Sequence, residues 1–156
     1  MTAPTSRAIR VIVRGLPIAQ GSARAFIAGK RAIIATGAGR GPLHAWRTAI
    51  AQEARAAAGS EPVMRGPVDV RATFVFPRPK SHYLPANGKR RDPVLRDDAP
   101  LWHVSPPDVD KLARSCLDAL TGVLWTDDAQ VADIHARKVY CGDGTTVGAV
   151  VEVRSL

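Results

Sequence analysis

Seven of the twelve prolines fall between positions 77 and 107. Proline lacks the backbone N–H that a helix interior or a central strand needs. No continuous regular element can therefore run through this stretch, and residues 1–76 and 108–156 must supply the helices and the sheet. The same stretch carries Arg78, Lys80, Lys89, Arg90, Arg91 and Arg96. A loop of this length inside a compact domain is usually functional or disordered. This one leads straight into an acidic motif, so it reads as a substrate-contacting loop.

The flanking blocks are strongly patterned. Ile9, Val11 and Val13 alternate with Arg10 and Arg14, which predicts a half-buried strand ending at Gly15. Residues 24–28 and 31–35 flank Gly29-Lys30 and read as a hairpin with Lys30 and Arg31 at or beside its tip. The glycine-rich run TGAGRG at 36–41 lacks the ending of a phosphate loop and reads as a connector. Pro42 opens a helix with Leu43, Trp46, Ile50 and Ala54 as its apolar stripe, while Arg47 and Arg55 project elsewhere. Val68, Val70, Ala72, Phe74 and Phe76 share one face of a strand.

Beyond the loop, Val109, Leu112, Ala113, Cys116, Leu117 and Leu120 mark a helix over 109–121, with Gly122 suited to its C-terminal cap. Strands follow at about 130–140 and 146–153, the last with Val147, Ala149, Val151 and Val153 inward. The order β, ββ, α, β, long loop, α, β, β implies an α+β fold: a single mixed or antiparallel sheet with two main helices. At 156 residues the chain is expected to form one domain, 1–156, with the basic loop at about 77–107.

No apolar run approaches membrane-spanning length, and the N-terminal residues lack a signal-peptide core. The expectation is a cytoplasmic protein with no membrane partner. Cys116 and Cys141 stand far apart without a CxxC pair or a Cys/His cluster, which argues against zinc. Cys116 falls on the apolar stripe and is expected in the core. Residues 1–60 hold nine basic residues against one acidic residue, so the whole net charge of +8 sits there. Nucleic acid is the favoured partner of such a surface.

Against that positive background, Asp108, Asp110, Asp127 and Asp128 fall within 21 positions. The first two stand at the mouth of the predicted helix and the last two just past its end. Carboxylates supply both charge and oxygen to a hard divalent cation such as magnesium. An extended lead-in would point Asp108 and Asp110 to one side, and a loop folding back would bring Asp127 and Asp128 to join them. A bound cation relieves the repulsion of such a cluster and activates water against a phosphodiester. Arg114, one turn after Asp110, is placed to stabilise charge on the phosphate. Plainer roles stand beside this reading. Asp108 suits an N-cap, Asp110 a first helical turn, and Asp127-Asp128 a turn, while Arg114 can bridge Asp110 and Asp118.

Residues 107–138 carry Asp108-Val109-Asp110-Lys111-Leu112, then Arg114, Leu117-Asp118-Ala119-Leu120-Thr121, Trp125, Asp127-Asp128-Ala129-Gln130-Val131 and Lys138. This combination resembles the RusA family of Holliday-junction resolvases, small endonucleases of bacteria and their phages. The resemblance implies a homodimeric, magnesium-dependent crossover junction endodeoxyribonuclease, with manganese a possible substitute ion, that nicks four-way DNA symmetrically in recombination and repair. It implies a metal site at Asp108, Asp110 and Asp128, with Asp127 adjacent.

The family's catalytic basic residue is commonly Lys, and here it is Arg114. Arginine keeps the charge but is a poorer proton donor. Lys111, at a position that is often Asn, is the residue placed to share that work. The basic loop is longer than in compact members, and the connection from Asp118 to the later acidic pair is about one residue shorter. Arg24, Lys30, Arg31, Lys80, Lys89, Arg90 and Arg91 are the expected phosphate contacts on branched DNA. Two other classes remain open. One is a branched-DNA-binding module that does not cut, and the other is a metal nuclease with little junction preference.

Overall fold

The computed structural model describes residues 6–21, 24–28, 31–35, 41–89 and 92–156, with the backbone alone at 24–28 and 31–35. Among them, β1 (Ala8–Arg14), β4 (Val68–Phe76), β5 (Val131–Tyr140) and β6 (Gly148–Ser155) form a sheet in the order β1-β6-β4-β5. The pair β4–β5 is parallel, and β1–β6 and β4–β6 are antiparallel. The fold is thus α+β, and the sheet is mixed. A separate antiparallel hairpin joins β2 (Arg24–Ala28) to β3 (Arg31–Ala35), as expected from the Gly29-Lys30 pair between them.

Helix α1 (Pro42–Ala58) begins at the proline and buries Trp46, Ile50 and Ala54. Helix α2 (Val109–Leu120) buries Leu112, Cys116, Ala119 and Leu120. Both stripes meet one face of the sheet: Ile9, Val11 and Val13 of β1, the even-numbered residues 68–76 of β4, and Ala149, Val151 and Val153 of β6. Each large side chain withdrawn from water here contributes about 1.5–3 kcal/mol. Burial pushes the Cys116 thiol up to about 12, so it packs as a neutral apolar group. The opposite sheet face has no helix over it and carries Arg10, Ile12 and Arg14 of β1 with Arg71 and Thr73 of β4.

Two boundaries differ from the pattern. The last strand starts at Gly148 rather than Thr146, because Thr145 closes a turn on the Gly142 carbonyl. A Cβ at Gly148 would sit 1.9 Å from the Val13 carbonyl oxygen, so the β1–β6 ladder can begin there only with glycine. Helix α2 ends at Leu120 with Thr121 as its cap, and Gly122 takes up the left-handed φ of 79° that follows.

The proline-rich stretch is folded rather than loose. It holds a 3-10 turn at Lys80–His82 and an antiparallel bridge between Tyr83 and Leu95. Arg78 donates to the carbonyls of Cys141 and Pro100 and lies over the Tyr140 ring. Its charge holds the loop to the sheet. Past Pro100 the chain runs along the outer edge of β5. Tyr140 donates to Leu101, His103 donates to Lys138, and Trp102 bridges Val139.

Candidate active site

Helix α2 carries acids at both ends, and the fold treats the ends differently. At its start, Asp108 is the N-cap in extended conformation, yet its carboxylate makes no capping hydrogen bond. The side chain is 64% exposed, and its neighbour is the Lys111 ammonium, 3.4 Å away. Asp110 is exposed in the first helical turn, where the helix dipole favours negative charge. The helix begins between the two, at Val109, so the alternation of an extended lead-in does not order them.

What positions them is Lys138. Its Nζ donates to the carbonyls of Ser105 and Pro107, both at 2.7 Å. The peptide joining Pro106 and Pro107 is cis. The start of α2 is thereby tied to the C-terminal part of β5. From the other side, Gln20 donates its backbone N–H to the Lys111 carbonyl, and Ser115 donates its hydroxyl to Ile18. A groove of about 660 Å³ lies along this surface, lined by Gln20, Asp110, Lys111, Arg114, Leu117 and Ile134 among others.

Arg114 lies one turn beyond Asp110 on the same groove, but its guanidinium leans away, to Asp118 at 3.2 Å. Asp118 also accepts from Arg47 at 2.7 Å, and Arg47 reaches Gln20 at 2.5 Å. Arg47 therefore crosses between the helices instead of projecting outward as its helical position suggests. Gln20 and Arg47 belong to this site by tertiary contact, and no local pattern marks either. Lys138 carried a signal, as the last residue of the motif string.

At the far end of α2 the acids are built into a turn. Asp128 accepts from the Thr121 hydroxyl and, at 3.4 Å, from the indole N–H of fully buried Trp125. Asp127 accepts from the Ala129 amide, and the Gln130 side chain accepts from the Asp127 amide, completing a reciprocal cap. Gln130 also donates to the carbonyls of Met64 and Gly66. Among the described residues, only one oxygen of the Asp128 carboxylate has a partner.

A helix of twelve residues spans about 18 Å. Since Lys138 sits at the α2 start and Val131 follows the turn at its end, α2 and β5 run antiparallel. Asp108 and Asp110 thus stand at one end of this pair and Asp127 and Asp128 at the other. The loop does not fold back, and among the described residues no three His, Cys, Asp or Glu side chains gather within one chain.

Of the expected phosphate contacts, Lys80 and Lys89 are exposed. Arg24 and Arg31 stand at the first positions of β2 and β3. Lys30, Arg90 and Arg91 lie outside the described residues. Trp102 is 53% exposed beside the sheet edge, whereas Trp125 is core. The His103 ring stacks on Phe76 with centroids 4.1 Å apart. Burial, with the nearby Lys138 charge, holds its pKa below the ordinary value.

An α+β sheet with an exposed carboxylate pair at a helix start, two cations beside it and a basic loop leading into it defines a polyanion-processing protein. The family described as endodeoxyribonuclease RusA matches residues 16–154, and the chain belongs to that family. It is also 28% identical over 132 residues to YqaN of Bacillus subtilis (strain 168), an uncharacterized protein, covering 85% of this chain and 87% of that one. Membership makes the chain an endodeoxyribonuclease by class. No helix among the described residues is long and apolar enough to cross a membrane.

Proposed function

We propose that this protein is a magnesium-dependent, structure-selective endonuclease that resolves four-way DNA junctions by paired nicks, acting as a homodimer. The observation that carries the reading is the pair Asp108 and Asp110, held exposed at the α2 start with Lys111 and Arg114 alongside. Uncapped, exposed carboxylates repel DNA and serve no packing purpose. They suit a hard cation that takes one or two carboxylates and leaves its other positions to water and phosphate. When bound, such an ion supplies an activated water and polarises the scissile phosphate.

The chain's own residues do the rest. Asp108 and Asp110 hold the cation. Lys138 fixes the backbone that carries them. Lys111, 3.4 Å from Asp108, offers a proton donor near the leaving oxygen. Arg114, free to rotate from Asp118 at 66% side-chain exposure, offers charge to the phosphate. Its permanent charge excludes proton transfer under ordinary conditions. Lys80 and Lys89 on the loop, with the basic N-terminal region, hold the duplex arms through phosphates.

The test is a labelled four-way junction and a matched linear duplex, each with magnesium, manganese or EDTA. Paired nicks confined to the junction and lost in EDTA are expected. Junction binding without any cut would replace the reading by a binding module. Equal cutting of both substrates would replace it by a less selective nuclease.

A further inference from the structure

We infer that two copies of this chain pair edge to edge through β5, and that each catalytic site is composite, taking Asp108 and Asp110 from one copy and Asp128 from the other. The inference rests on the nuclease reading for the use of the site, and on the strand alone for the pairing.

Strand β5 is the outer strand of the sheet. Residues 132–135 are exposed, including Ile134 at 43%. Groups on alternate residues of a strand face alternate edges. The Lys138 carbonyl and the Tyr140 amide face outward, to His103 and Leu101. The amides and carbonyls of Ile134 and Ala136 therefore face outward too, and among the described residues nothing bonds to them there. An unpaired, unguarded edge of this kind is a template for another strand.

The free stretch sets the register. A two-fold axis through an antiparallel pair of identical strands keeps each residue on its own face. The loop at 101–103 already occupies the edge at 138–140, which centres the open stretch on His135. Centred there, Ile134 and Ala136 of each copy exchange both hydrogen bonds, satisfying all the open groups. The same register sets Asp133 opposite Arg137 of the second copy. Both are exposed, and Asp133 has no ion pair among the described residues. The groove of about 660 Å³, lined by Ile134, Ala136, Ala113 and Leu117, then faces its own symmetry copy.

The register also acts on the acids. Because α2 and β5 are antiparallel within one copy, reversing the second strand sets its Val131 end against the first copy's Lys138 end. That is the end carrying Asp108 and Asp110. Asp128, with one carboxylate oxygen unengaged among the described residues, precedes Val131 by three positions. Pairing through the other outer strand, β1, would leave the acids apart. β1 lies three strands away, about 14 Å across the sheet, and α1 already covers its inner face.

Two experiments decide it, and the first needs no nuclease activity. His135→Cys in a Cys141→Ser background places two thiols at a pair with Cα atoms about 4.5 Å apart, within disulfide range. A disulfide-linked dimer under mild oxidation is expected, together with twice the 16.6 kDa chain mass by light scattering of the unaltered protein. A monomer, or a dimer that does not cross-link at this position, overturns the pairing. In the second experiment, Asp110→Asn and Asp128→Asn chains are co-expressed with different tags and purified as a heterodimer. In a composite arrangement one of the two sites keeps all its wild-type acids, so nicking lost in either variant alone returns in the mixed dimer. A mixed dimer that cross-links but stays inactive overturns the composite site. An unaltered protein that cross-links but cuts no DNA removes the nuclease reading and leaves the strand pairing supported.

Discussion

The two ends of α2 carry the same side chain in opposite settings. At the start, Asp108 and Asp110 are exposed, and the only ion pair of Asp108 among the described residues is with Lys111. At the end, Asp128 is tied to Thr121 and Trp125, and Asp127 closes a reciprocal cap with Gln130. An acid that satisfies buried donors is part of the fold. An acid left in water next to cations is available for chemistry. The difference separates residues whose loss should be read in activity from those whose loss should be read first in stability.

The sharpest way to break the comparison is Asp110→Asn. If the carboxylate serves only the cation, nicking should fall by about 1,000-fold, equivalent to about 4 kcal/mol of transition-state stabilisation. The melting temperature should stay unchanged. A large loss of stability would place Asp110 with the structural acids.

At the other end, Asp128→Ala leaves the Trp125 indole and the Thr121 hydroxyl without their acceptor. Unfolding by urea should show a loss of about 1–3 kcal/mol. The matched Asp108→Ala should stay within about 0.5 kcal/mol, since Asp108 makes no cap bond. Equal losses at both ends would erase the distinction.

Lys138→Met tests whether the start of α2 is held from outside. Two carbonyls lose their donor, and about 1 kcal/mol of stability should go with them. Activity should fall by more than that change explains, because the acidic pair is no longer positioned.

The smallest effect expected is a pH dependence at His103. Its folded pKa lies below the ordinary 6.5, so the unfolded chain takes up the proton more readily. Stability from this group is present above 6.5 and declines as the pH falls through that value. Urea midpoints measured from pH 8 to pH 5 should show the decline, and His103→Phe should flatten it while keeping the stack on Phe76.

Much of this was legible locally. The period-2 runs at 8–14 and 68–76 and the 3.6-period stripes of both helices are written in single residues, because burial of one face demands that spacing. The acidic string at 108–128 was legible for the same reason: a short motif keeps its chemistry close together in the chain. Arg47 was not legible. Its helical position says only that it faces away from the stripe, and its partner Asp118 is 71 residues distant. The proline-rich stretch misled in one respect, since prolines exclude long elements but permit the turn at Lys80–His82 and the bridge between Tyr83 and Leu95.

The sequence by itself determined the element types, the core stripes, the family and the identity of the acids, because these depend on neighbours along the chain. Tertiary structure alone decided where the acids stand relative to one another. Laying α2 antiparallel to β5 separates Asp108 and Asp110 from Asp128 by the length of a helix. Placing β5 at the sheet edge leaves the Ile134 and Ala136 backbone groups open. Strand order and helix direction come from packing the whole sheet at once, and no local pattern encodes them.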